Sequence, residues 1–147
     1  MLSLQEISDR IEIEDLMVRY SHAVDTQQWD LLDDVFTADA QIDYSAMGGA
    51  SGGLPEIKKF LATVMPYFPA FQHLISNSSI TVDGDTATGR TMCHNPMLVG
   101  EAEGKQNLML CGLWYLDTFT RVDGAWRIAR RVEEKSYMFL AATPGSQ

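Results

Sequence analysis

The chain has 147 residues, 46% of them hydrophobic and 21% charged, with a formal net charge of −9. This length suits one domain over 1–147, with a structured core over about 3–139 and a flexible tail over 140–147, and the composition excludes disordered and fibrous classes. The acidic balance argues against nucleic acid, and no apolar run approaches the ~18 residues of a membrane span; with an acid-rich start unlike a leader, a cytoplasmic location is expected.

Leu4, Ile7, Ile11, Ile13, Leu16, Met17, Tyr20 and Val24 recur mostly at three- and four-residue steps, which predicts an amphipathic helix. Ser3, with Glu6 three residues on, forms a capping box at its start. Trp29, Leu32, Val35 and Phe36 repeat the period and predict a second helix after a break near 25–27. A short strand over 41–45 and a flexible, lid-like glycine loop over 48–53 follow, and Pro55 suits the first turn of a third helix over 54–65.

Beyond Pro69, residues 71–82, 86–99, 105–121 and 125–139 are long segments rich in branched and aromatic side chains, separated by polar and glycine-rich turns. Three helices followed by such a meander predict an α+β fold, in which a curved, mostly antiparallel sheet packs against the helices as a cone around a pocket. A pocket for a ligand of ordinary size needs ~300 Å³ or more.

Alternation over 71–82 puts His73, Ile75 and Asn77 on one face and Leu74, Ser76 and Ile80 on the other, so apolar residues fall on both. That pattern leaves His73 among apolar neighbours, either as a buried histidine with a backbone partner or as a base. Tyr20 and Asp25 can both approach the sheet only if the first helix ends between them, and Tyr44 on the next strand can join them. A carboxylate beside an imidazole fixes its tautomer and raises its basicity, and a phenol can donate to a carbonyl oxygen becoming an enolate. Asp25 equally suits the N-cap of the second helix, and the tyrosines equally suit buried rings with surface hydroxyls.

These residues and their flanks resemble the SnoaL-like branch of the nuclear transport factor 2 superfamily. The likeness covers nearly the whole chain. It is carried by 13–44 (IEDLMVRYSHAVDTQQWDLLDDVFTADAQIDY), Phe71-Gln72-His73, Val82-Asp83-Gly84-Asp85 with Thr88-Gly89-Arg90, and 122–128 (VDGAWRI). Within the branch the chain is similar to scytalone dehydratase and the bile-acid 7α-dehydratases, which remove water from carbonyl-bearing polycyclic substrates without metal or cofactor. The resemblance implies catalytic roles for Asp25, His73, Tyr20 and Tyr44. Met97 replaces a second pocket histidine of the scytalone type, and Leu113 and Tyr115 replace its serine and asparagine. With Asn95 and Trp29, these three form the expected substrate lining. That lining implies a greasier ligand, steroid-like, terpenoid or polyketide.

Other motifs carry less. The glycine loop lacks both the dinucleotide fingerprint and the Lys-Ser or Lys-Thr of a phosphate loop. His22 and His94 match no metal spacing with His73 and Asp25, so neither metal nor cofactor is expected. Cys93 and Cys111 read as core thiols. Arg127, Arg130 and Arg131, followed by Glu133 and Glu134, read as a solvated strand from which one Arg could reach an anionic group. Met47, Met65, Met92, Met97 and Met109, with Trp114, Phe119 and Tyr137, supply a soft apolar set suited to core and pocket.

Two readings follow: a cofactor-independent dehydratase or isomerase, or a non-catalytic domain of the same fold that binds a small ligand or oligomerises. Under either, the outer face bearing Trp114, Leu116 and Thr118 suggests a dimer or trimer.

Overall fold

A computed structural model describes residues 1–100 and 106–142. Helix α1 (Leu4–Asp25) starts at the expected capping box: the Glu6 amide donates to Ser3 Oγ at 3.1 Å, and the Ser3 amide donates to Glu6 Oε2 at 2.7 Å. Ile13, Leu16, Met17, Tyr20 and Val24 are buried, whereas Leu4, Ile7 and Ile11 of the same stripe are exposed. The helix does not end between Tyr20 and Asp25. It runs through both, and Thr26 closes it by donating its amide to the His22 carbonyl.

The expected second helix is a short 3₁₀ segment, Trp29–Asp34, because the chain turns into strand β1 (Phe36–Asp43) five residues before the predicted start. The Ile128 amide donates to the Val35 carbonyl and anchors that turn to the sheet. The glycine loop is only partly a loop: Ser51–Gly53 form β2, paired antiparallel with 41–43 of β1, so its second half is not a free lid. Gly49 lies so close to Tyr44 that a Cβ there would stand 2.7 Å from the tyrosine Cβ. Helix α2 (Leu54–Val64) has Pro55 in its first turn and buries Leu54, Ile57 and Leu61.

Strands β3 (Leu74–Asp83), β4 (Thr86–Val99), β5 (Asn107–Val122) and β6 (Ala125–Ala142) form the antiparallel meander, and β1 adds parallel to β6. The unclosed six-stranded sheet runs β2-β1-β6-β5-β4-β3. Strand β6 includes Leu140, Ala141 and Ala142, which were expected in the tail; the rest of that tail, 143–147, lies outside the described residues. So do the expected turn residues 101–104 and the predicted strand start at Lys105. Among the described residues no helix is long and apolar enough to cross a membrane.

Bulges decide which side chains face inward. On β3, Ser76 pairs with Met92 and Ser79 with Arg90, so one extra residue is accommodated where Asn77 takes a φ of 52°. Ile75 and Ile80, five apart, therefore both turn toward the core, and the apolar character on both faces reflects this extra residue rather than a strand covered on both sides. On β6 the register slips at Ala129 and again at Ser136. Inward positions change from Trp126 and Ile128 to Arg131 and Glu133, then to Met138.

The first slip corrects the reading of Arg131, which is fully buried rather than solvated. It faces Asp117 across the strand pair, donating from Nε and Nη2 at 2.8 Å each. Removing one member leaves an unpaired buried charge. Asp117→Ala or Arg131→Met alone should cost ~3–5 kcal/mol in urea unfolding, whereas Asp117→Leu with Arg131→Met should recover most of it. Additive losses in the double variant would contradict this.

Candidate active site

Asp25 ends α1, and His73 lies immediately before β3, on a segment held to the sheet by the Phe71–Met97 bridge and by the Gln72 amide donating to the Pro96 carbonyl. Asp25 is not the N-cap of the following segment; Gln28 is, without a side-chain cap bond. Instead the carboxylate grips His73 twice. The His73 amide donates to Oδ2 at 3.0 Å and to Oδ1 at 3.2 Å, and Nδ1 lies 2.6 Å from Oδ1. An ionised carboxylate only accepts, so Nδ1 carries the proton of this contact and Nε2 is the ring nitrogen left for another partner. The His73 side chain is 7% exposed and Asp25 24%, and Asp25 stands behind the imidazole rather than on the cavity wall.

Tyr20 and Tyr44, both buried, meet hydroxyl to hydroxyl at 2.7 Å. One hydroxyl donates to the other, which leaves the second proton free for a third partner. Tyr20 packs edge-on against His73, with ring centres 6.4 Å apart, and against Tyr115 at 5.6 Å. Burial raises the Tyr20 pKa and lifts those of Tyr44 and Tyr115 well above the usual phenol value, so all three are neutral donors.

The Arg131 guanidinium lies 4.1 Å from the centre of the Tyr20 ring and 3.8 Å from that of Tyr115. Burial works against its charge, but Asp117 outweighs it and raises the pKa well above the usual arginine value.

The imidazole and the three phenols line a cavity of about 200 Å³. Its wall includes Tyr20, Tyr44 and His73, and the expected lining residues Asn95, Met97, Leu113 and Tyr115. Trp29 is the exception: it packs against the core from the 3₁₀ segment and does not reach the cavity. The cavity is smaller than expected. An apolar void of ~150 Å³ holds benzene, so this one suits one or two fused rings, and a steroid skeleton would have to protrude from its mouth. Met47, Met65, Met97 and Met109 supply part of the lining, with Met138 in addition. Burial pushes the Cys93 thiol up to about 12 and raises that of Cys111, so neither is a thiolate.

Sequence reasoning missed Arg131 and Glu133. Alternation from Trp126 and Ile128 points Arg131 outward, and only the bulge at Ala129 reverses it. The available signal was compositional: Asp117 and Arg131 are opposite charges on neighbouring hairpin strands. Glu133 lines the cavity with Oε2 shielded and unpartnered among the described residues, as is Asn95 Oδ1. His22 lies in the last turn of α1, and His94 Nδ1 meets the Tyr137 hydroxyl at 3.1 Å, so neither joins His73.

The model of the SnoaL-like domain family matches residues 5–132, and the chain belongs to that family. Protein Rv2910c of Mycobacterium tuberculosis is 51% identical over 137 residues, covering 93% of this chain and 92% of that protein. Solved structures that share the fold include two from one organism. A provisionally named aromatic ring hydroxylase from Novosphingobium aromaticivorans is 30% identical, with a TM-score of 0.80 over 93% of this chain and 94% of that one. A provisionally named scytalone dehydratase from the same organism is 25% identical, with a TM-score of 0.76 over 96% and 95%.

Burial, opposed by Arg131, pushes the Glu133 carboxyl up from 4.5 to about 8. Between those values the folded chain holds a proton that the unfolded chain has released. Stability should therefore fall as pH rises from about 4.5 to about 8, by at most ~4 kcal/mol from this residue. Glu133→Gln should flatten that slope in urea melts at several pH values. An unchanged slope would show that Glu133 ionises freely.

Proposed function

We propose that this chain is a cofactor-independent dehydratase, or an isomerase using the same first step, acting on a small apolar carbonyl compound of one or two fused rings. The observation that carries this reading is the 2.6 Å contact between His73 Nδ1 and Asp25 behind the wall of a greasy cavity. Family membership, and a named dehydratase of this fold, support the class.

His73 Nε2 takes the acidic proton beside the carbonyl, and Asp25 stabilises the resulting imidazolium. The free proton of the Tyr20–Tyr44 pair is donated to the carbonyl oxygen as it becomes an enolate. From that enolate a dehydratase expels a β-hydroxyl, whereas an isomerase returns the proton at another carbon. Every step uses side chains of this chain.

The first step can be measured without the natural substrate. Exchange of the α-protons of α-tetralone in heavy water, followed by NMR, should be catalysed by the wild type. His73→Ala or Asp25→Asn should slow it ~10²-fold or more, and Tyr44→Phe by less. If both pair variants exchange within about threefold of wild type, the base assignment is wrong, and a non-catalytic small-ligand site, which the modest cavity also suits, becomes the better account.

Self-association through the outer sheet face belongs to the same proposal. Trp114 and Leu116 are half-buried there, with the Arg90 guanidinium 3.6 Å from the centre of the Trp114 ring, and Phe139 and Leu140 are exposed near the end of β6. Sedimentation should give the mass of two or three chains, and Leu116→Glu should shift it toward one. A wild type that sediments as one chain would contradict the interface.

A further inference from the structure

We propose that Glu133 is the second proton-transfer residue of the cavity, giving its proton to the departing hydroxyl while His73 serves as the base. This rests on the elimination reading above and assigns its other half.

The argument begins with position. The bulge at Ala129 turns Glu133 inward, and it pairs in register with Tyr115 on β5. His73 lies beyond β4, at the β3 edge and on the level of Cys111 and Met138, whereas Glu133 is on the level of Tyr115 and Thr91, so the two groups stand apart both across the sheet and along its strands. Both groups nevertheless line one cavity, so a single ligand in it can meet both. The second observation is an unmet bond: Oε2 is shielded from solvent and has no partner among the described residues. A buried carboxyl oxygen in that condition is far less costly protonated than ionised, which fits a group that holds its proton.

Its surroundings keep the group an acid. Arg131, two residues away, opposes this, but it commits Nε and Nη2 to Asp117. Asp43 on β1 opposes a further negative charge, and the nearby Tyr20, Tyr44, Tyr115, Cys93 and Cys111 are all held in their neutral forms. With burial as the main cause, the carboxyl holds its proton up to about 8.

The step balances. His73 Nε2 takes the proton from the carbon beside the carbonyl, and that C–H electron pair becomes the new C=C bond as the β C–O bond breaks. The C–O pair leaves with the oxygen, which takes the Glu133 proton and departs as water. The imidazolium then loses its proton and the carboxylate regains one through water, restoring both groups.

The test compares two probes. α-Tetralone reports proton abstraction alone, by exchange. Its β-hydroxy derivative reports the full elimination, because loss of water gives fluorescent α-naphthol. In Glu133→Gln the ratio of elimination to exchange should fall ~10²-fold or more, and in the wild type that ratio should fall as pH rises through about 8. A ratio within about threefold of wild type overturns the proposal, because a merely structural role would move both rates together. A wild type that exchanges α-tetralone without eliminating water also overturns it and leaves the base reading standing; one that does neither overturns the reading beneath. Carbon-13 NMR of glutamate-labelled protein, with Glu133→Gln as the assignment control, supplies a readout that needs no substrate. A midpoint near 8 is expected, and one in the ordinary carboxylate range overturns the proposal.

Discussion

A guanidinium with no exposed surface must have its charge met where it lies, and in this protein the way Arg131 is met organises the cavity. Asp117 takes two of its nitrogens from the neighbouring strand, and Tyr20 and Tyr115 present their ring faces to it. The pair can form only if β6 accommodates an extra residue at Ala129, so the ion pair and the bulge require each other. Tyr20, held by the cation on one side, has its hydroxyl against Tyr44 and its ring edge-on to His73. Helix, strand edge and cavity floor are thereby registered to a single charge. A well-packed apolar replacement could match its stability, but it would not orient Tyr20 in the same way.

Much of this was legible in the residues, and the illegible part has a common cause. Helix α1 was readable because its period persists over six turns and Ser3 and Glu6 cap it. The meander was readable because its strands are long, branched and separated by turn residues. What could not be read was inward or outward direction beyond a bulge. One added residue reverses every later side chain, and nothing in the composition around Asn77, Ala129 or Ser136 announces the addition. His73 and Tyr115 lie outside the affected stretches and were placed on the cavity from sequence, whereas Arg131 and Glu133 lie just past a slip and were read as solvated. Trp29 was misplaced for a different reason: a 3₁₀ segment does not present its side chains at the helical period used to aim it.

The cavity keeps its full charges one residue back from any ligand. Asp25 stands behind His73, and the Arg131–Asp117 pair stands behind Tyr20 and Tyr115. Beside the imidazole, what a ligand meets is neutral: phenols and a carboxyl that burial pushes up to about 8, set among methionine and leucine. An apolar molecule can enter such a space without displacing the hydration of an ion, so ground-state binding carries little electrostatic cost. On the proposed mechanism, a proton moving to His73 would find Asp25 already hydrogen-bonded to the ring that becomes positive. On the same mechanism, negative charge gathering on the ligand oxygen would be faced by the phenols and the cation behind them across a medium of low dielectric, where such interactions are strongest. Stabilisation of this kind would be largest in the transition state and small in the bound ground state, which is the difference that the proposed catalysis requires.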